Sequence, residues 1–221
     1  MTKTFITGDL TQTVTIDEGG TWVLGAGKTI AIPAPATPGV ATIGIELTAG
    51  AVDPRLVVLG DIAMDGSPGN AILIDSRKAS VTIGVDSMIE ATTGIATGNG
   101  ATGIDIVNAG TINGSFAGIA QYAPHAQVVN EASGKIQANY AVIAGGDDGR
   151  FTLVNRGEIT GVHNSVVVEH ANTTIRNVGT ISGDILLGDG HDRFNTRYGT
   201  FDGDLYGGDG NDLYVLKDAA T

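Results

Sequence analysis

Two turns near the C-terminal end of the chain carry the residues best suited to chemistry. Gly207-Gly208-Asp209-Gly210-Asn211-Asp212-Leu213-Tyr214-Val215 crowds glycines ahead of an aspartate, and Leu187-Gly188-Asp189-Gly190-His191-Asp192-Arg193-Phe194-Asn195 does the same twenty residues earlier. Both belong to a longer duplication, in which Gly179 to Asn195 (GTISGDILLGDGHDRFN) recurs as Gly199 to Val215 (GTFDGDLYGGDGNDLYV). Glycine lets the backbone turn sharply enough to aim several carbonyl oxygens at one point, and aspartate adds a hard anionic oxygen. Calcium takes roughly six to eight oxygens of this kind, so the chemistry these turns are equipped for is binding of Ca2+.

The second turn fits Gly-Gly-x-Gly-x-Asp-x-bulky-x at every specified position and resembles the haemolysin-type, or RTX (repeats-in-toxin), calcium-binding nonapeptide. The first departs at its opening residue, where Leu187 replaces a glycine, and keeps Gly190 and Asp192. The resemblance implies that Asp192 and Asp212 are side-chain ligands. It further implies that Gly188, Gly190, Gly208 and Gly210 supply carbonyls, that Gly207 opens the second turn, and that Asp189 and Asp209 support the site. In that family two nonapeptides make one coil of a β-roll, so turns about eighteen residues apart stack and hold calcium between them; here the spacing is twenty. The resemblance also implies secretion by one-step type I export from a bacterium, through a C-terminal signal. The chain stops six residues after Val215, so that signal is expected to have been cut off or removed. Gly145-Gly146-Asp147-Asp148-Gly149 occupies a similar place but lacks the aspartate after a second glycine, and reads as a plain turn.

Stacking such turns needs a scaffold that repeats at nearly the same period, and the sequence contains one. Val107-Asn108-Ala109-Gly110-Thr111-Ile112, Val154-Asn155-Arg156-Gly157-Glu158-Ile159 and Arg176-Asn177-Val178-Gly179-Thr180-Ile181 share the frame x-Asn-x-Gly-x-Ile, with a looser copy from Val129-Asn130 to Ile136. The asparagines lie 22, 25 and 22 residues apart, which suits one coil of a solenoid with three short strands per coil. Val57 to Ile62 and Val81 to Val85 occupy the same place about one coil earlier each. A second apolar cluster follows each frame: Gly118-Ile119-Ala120, Ala141-Val142-Ile143, Val166-Val167-Val168 and Ile185-Leu186-Leu187. Stacked parallel strands would bury these β-branched side chains in columns. The expected fold is therefore all-β: a right-handed parallel β-solenoid of roughly six to eight coils of about 18–25 residues, ending in a short RTX-type β-roll. Residues 1–40, with Trp22 and Pro33, Pro35 and Pro38, are expected to form an N-terminal cap and first coil. Residues 41–182 would form the coils and 183–221 the calcium-binding end, continuous with them.

The recurring asparagine has two readings. Identical amides at one corner can hydrogen-bond along the axis as a ladder, or they can point outward and line a binding surface. Ile106, Val128, Leu153 and Ile175, two positions earlier, place the asparagines on the inward face and favour the ladder.

The formal charge of −12 argues against nucleic acid and anionic membrane surfaces as partners. There is no cysteine, the four histidines have no zinc-ligand spacing, and no apolar run is long enough to cross a membrane as a helix. An enzyme acting on acidic polysaccharides would need acids and bases gathered on one strand face. The local candidates are Asp75 with Arg77 and Lys78, and His163 with Glu169 and His170. Arg77 and Lys78 read as a solvated turn, and Glu169 and His170 as a corner closing a strand. The threonines of Thr11 to Thr15 do not recur at the coil period, so an ice-binding face is not expected. The leading reading is an extracellular, non-enzymatic, calcium-binding structural or adhesive module. Its expected partners are calcium and either a surface or matrix polysaccharide or other copies of itself. A polysaccharide lyase, epimerase or carbohydrate-binding β-helix is the alternative. An outward groove of acids, bases and aromatics would favour the alternative, and a smooth face of Thr, Ser and Val would favour a scaffold.

Overall fold

Coil stacking is visible in every strand pairing of the computed structural model, which describes residues 3–37, 39–65, 68–98, 100–145 and 149–216. Pro38 and the residues Gly146, Asp147 and Asp148 singled out above lie outside the described residues. The described chain is all-β, without helix: a parallel β-solenoid of about seven turns. The strands form a ten-stranded sheet and a twelve-stranded sheet, in which hydrogen-bonded neighbours come from successive coils. Short strands flank the regular turns at both ends, such as Val14–Ile16 at one end and Leu205–Tyr206 and Leu213–Val215 at the other.

A regular coil supplies one strand to the first sheet, for example Asp105–Asn108, then turns through Ala109 and Gly110 into the long strand Thr111–Gln121 of the second. That long strand pairs with Lys135–Ala144 of the next coil, with a register shift between Asn113 and Ala117 that divides it into two straight segments. Matching shifts occur at Ala91/Thr93, Ala138/Tyr140 and Thr160/Asn164, so the second sheet is creased along the axis. In an earlier coil the two segments are separate strands, Asp61–Met64 and Gly69–Ile74. Three segments per coil, the number read from the sequence, thus bound the core.

Each segment contributes one inward column. Leu56, Val81, Ile106, Val128, Leu153 and Ile175 stack in the first, and Ile89, Ile112, Ile136, Ile159 and Ile181 in the second. Ile45, Ile72, Ile95, Ile119, Val142, Val166 and Ile185 form the third, and every member of the three columns is essentially buried. β-branched side chains fit because their restricted rotamers stack on a pleated surface with little further loss of freedom.

The x-Asn-x-Gly-x-Ile frame is accounted for atom by atom. Asn108, Asn130 and Asn155 each donate Nδ2–H to the Oδ1 of the next asparagine at 2.9, 2.9 and 2.8 Å, and Asn177 ends the ladder by donating to Thr196 Oγ1 at 3.0 Å. The same amides donate to corner carbonyls, as Asn155 does to Thr180 at 3.0 Å, so no buried N–H is wasted. Below the ladder, Asn108 sits on Ile83, which offers no donor, and Asn108 Oδ1 has no partner. The frame's glycine is required by close approach: a Cβ on Gly157 would stand 2.2 Å from the Gly134 carbonyl oxygen. The isoleucine two residues on begins the second inward column.

Aromatic side chains stand at the ends of the core. Trp22 sits in the first inward column, between Thr4 and Leu56, and packs against the core. At the far end Phe194 is fully buried and meets Phe201 edge-on at 5.2 Å. Truncating an asparagine tests the ladder. Asn155→Ala leaves Asn177 Oδ1 without its donor and Asn108→Ala leaves Asn130 Oδ1 so, but Asn108→Ala also removes a buried oxygen that has no partner to begin with. An unsatisfied buried group costs about 1–3 kcal/mol, so Asn155→Ala should cost more than Asn108→Ala in urea unfolding, by about that amount. Equal losses would contradict the ladder.

Candidate metal centre

The twenty-residue duplication is a stack of two coils in register. Thr180, Ile181 and Ser182 pair with Thr200, Phe201 and Asp202; Ile185 and Leu186 pair with Leu205 and Tyr206; Arg193, Phe194 and Asn195 pair with Leu213, Tyr214 and Val215. Each pair is offset by twenty residues, and Gly190 forms a parallel bridge to Gly210 between the two glycine-rich turns. All nine residues singled out in sequence, Gly188, Asp189, Gly190, Asp192, Gly207, Gly208, Asp209, Gly210 and Asp212, therefore lie in two superposed turns on one edge of the solenoid.

Glycine is forced at this edge by the closeness of the turns. A Cβ on Gly208 would stand 1.9 Å from the Gly188 carbonyl oxygen, and one on Gly210 would stand 1.6 Å from that of Gly190. Gly188 and Gly208 also have φ of 68° and 82°, in the left-handed region that side chains disfavour. The carbonyls of the lower turn thus point along the axis at the upper one.

The carboxylates divide into two kinds. Asp189 and Asp209 are exposed, and Asp189 Oδ2 lies 3.2 Å from His170 Nδ1 in the turn below. Asp192 is buried, with 2 % of its surface exposed, and its Oδ1 accepts a 2.7 Å hydrogen bond from Thr173 N–H. Asp192 Oδ2 is buried without any partner. Half-buried Asp212 repeats the pattern one coil higher: its Oδ1 accepts from Asp192 N–H at 3.0 Å, and its Oδ2 accepts from Tyr214 Oη–H at 2.9 Å. Burial raises Asp192 from 3.8 to about 6, the Thr173 N–H offsets part of this, and the nearby Asp212 carboxylate adds to it. Burial and the bond to Asp212 push the Tyr214 hydroxyl up to about 12.

No group of three or more His, Cys, Asp or Glu side chains able to hold a metal ion occurs among the described residues. A cation at these turns would draw most of its oxygens from main-chain carbonyls. The residues fit such a site in two respects: stacked carbonyls aimed along the axis, and a buried carboxylate oxygen that lacks a partner.

Sequence reasoning missed the third layer of this edge. Thr173 occupies the place of Asp192 one coil down, Asn172 Oδ1 accepts from His191 N–H at 2.8 Å, and His191 Nδ1 accepts from Asn211 N–H at 3.1 Å. His170 is the partner of Asp189, on the corner that the sequence suggested for it. Offsets of nineteen and twenty residues with different residue types conceal these layers from a motif search. Arg77 and Lys78 are both exposed, Lys78 at φ 52°, as a solvated turn requires. His163 is elsewhere: it joins Tyr140 and Phe116 in a row of rings along the crease of the twelve-stranded sheet. The outer face of the ten-stranded sheet carries Val57, Thr82, Val107, Val129 and Val154 in one column, and beside it Asp105, Gln127 and Arg150 line a shallow recess with His125.

Fold and edge together define the class: a parallel β-solenoid with a doubled glycine–aspartate turn at one end. No protein-family model, no curated protein and no solved structure matches the chain.

The raised Asp192 predicts a pH signature in metal-free protein. Between pH 3.8 and about 6 an unfolded Asp192 is ionised while the folded one still holds its proton. The group therefore destabilises the fold progressively as pH rises through that interval, and by a constant amount above it. Asp192→Asn keeps an acceptor for Thr173 N–H and cannot ionise. In chelating buffer, the wild-type melting temperature minus that of Asp192→Asn is expected to fall from pH 4 to pH 6 and then level off. A difference that does not vary with pH would contradict the burial of an ionisable oxygen.

Proposed function

We propose that the two stacked turns bind calcium in the manner of RTX repeats, and that the chain is an extracellular, non-enzymatic β-solenoid module whose calcium-loaded end completes and stiffens it. The observation that carries this reading is Asp192 Oδ2, a buried carboxylate oxygen with no partner, in the same turn as Gly188 and Gly190, whose carbonyls face Gly208 and Gly210. Asp192 and Asp212 would supply anionic oxygens and the turn glycines neutral ones. Bound calcium would supply the positive charge that the packed carboxylates lack. Secretion accords with this role, since free calcium is abundant outside cells.

The body of the solenoid needs no such help, because its columns are apolar and its ladder is made of amides. Calcium that binds only the ordered turns adds about 2.7 kcal/mol at 100 times its dissociation constant. Chelation is therefore expected to raise hydrogen exchange selectively from about Gly183 onward while the coils before it keep their protection. Asp192→Ala and Asp212→Ala should each weaken the response to added calcium. Exchange that is equal with and without calcium across that segment, in protein shown to be metal-free at the start, would overturn the reading. No turnover of polyuronates is expected. Arg77 and Lys78 stand in a solvated turn, His163 stacks in the aromatic row and His170 is paired with Asp189, so the acids and bases named from the sequence are not gathered on one strand face.

A further inference from the structure

We propose that the crease of the twelve-stranded sheet is a binding groove for a neutral polysaccharide lying along the solenoid axis, at a site separate from the glycine-rich turns. Phe116, Tyr140 and His163 come from three successive coils at this crease, with ring centroids 5.4 and 5.6 Å apart and interplanar angles of 61° and 48°. Tilted in this way, the rings do not hide one another: Phe116 keeps 48 % of its surface exposed and His163 is exposed. Tyr140 is seated on Ala117, Ala120 and Ile143, which anchors the middle of the row. Phe116 is half exposed and His163 exposed, so the row presents ring surface on which a ligand can stack.

A hydrogen-bonding column runs beside the rings. Glu90, Asn113, Gln137 and Thr160 are register partners on the outer face of the adjacent segment, one per coil. Each coil therefore offers one polar group at the spacing of parallel strands, about 4.8 Å, and three successive coils add a ring. That pitch is close to the length of one sugar unit in an extended chain. A pyranose presents an apolar C–H face to an aromatic ring and hydroxyls to amides and carboxylates, so a linear glycan matches the site unit by unit.

Toward the N-terminal end the crease opens into a groove of ≈ 650 Å³ lined by Met64, Glu90, Asn113 and Ser115. Through Met64 and Glu90 it runs on into a second groove of ≈ 460 Å³ beside Ile32 and Asp65. Neither is lined by lysine or arginine, both carry carboxylates, and the chain has a net charge of −12, so a polyanionic glycan would be repelled. A protein partner would find a strip one ring wide beside a polar column, without the clustered anchors of a stable protein interface.

The test is affinity electrophoresis of the whole chain through gels containing xyloglucan, galactomannan or mixed-linkage β-glucan, with pull-down on insoluble cellulose, each in calcium and in chelator. At least one neutral polysaccharide should bind the protein, while alginate and polygalacturonate should not. Phe116→Ala should weaken binding at least fivefold, and Phe116→Ala with His163→Ala should abolish it. Both side chains are exposed, so the melting temperature should not change, and Tyr140→Phe, which keeps the ring, should bind as wild type does. The proposal is overturned if no neutral polysaccharide binds, if polyuronates bind in their place, or if the double variant binds normally. It is also overturned if the double variant loses self-association without losing glycan, since the row would then be an interface between copies. Binding that persists in a protein without any calcium response would sink the calcium reading and leave the groove standing.

Discussion

The parallel ladder between one coil and the next is the constraint on which everything else in this molecule depends. At about 4.8 Å per coil, a side chain's nearest neighbours are the residues one coil above and below it, so each position is judged by how well it stacks on its counterparts. Apolar columns satisfy this with Ile, Val and Leu. Corners satisfy it with glycine, where the carbonyl of one coil points at the backbone of the next, as Gly134 does at Gly157. Because no coil is stable alone, stability accumulates along the axis, and the two ends are the places where it can fail.

Buried polar residues expose a difference between the body and the C-terminal end. An amide both donates and accepts, so Asn108, Asn130, Asn155 and Asn177 can repeat one bond indefinitely and leave a single orphan oxygen at the start of the ladder. A carboxylate only accepts. Asp192 and Asp212 must therefore borrow main-chain N–H groups from the coil below, and Asp192 is left with one oxygen that nothing satisfies. Changing amide to acid at a stacked corner thus converts a self-sufficient ladder into one that is short of positive charge. That is the physical content of the proposed calcium dependence, and it holds whether or not the turns derive from a known repeat.

The architecture was legible because like stacks on like. The x-Asn-x-Gly-x-Ile frame fixed the coil length, the direction of the asparagines and one apolar column, and the twenty-residue duplication marked two coils that superpose residue for residue. What could not be read has a common cause in the crease. Phe116, Tyr140 and His163 are 24 and 23 residues apart, yet Tyr140 pairs in register with Ala117 and Asn164 rather than with the other two rings. Register shifts at each crease break the period there, and chemically different residues carry the row, so no sequence pattern announces it. The layer beneath the glycine-rich turns was hidden likewise, since Thr173 and Asn172 share position but not type with Asp192 and His191.

The crease also explains why two such different faces coexist on one solenoid. On the ten-stranded sheet the strands are unbroken, so outward residues stay in register from coil to coil, as the column from Val57 to Val154 does. At the crease the bulges release the outward side chains from strict register while the buried columns on either side keep theirs. Rings of different kinds can then occupy successive coils and tilt against one another without disturbing the core, because the isoleucine columns that set the coil spacing lie behind them. Specificity can change there by substitution alone, whereas any change at the ladder or the stacked glycines must be accommodated by the coils above and below.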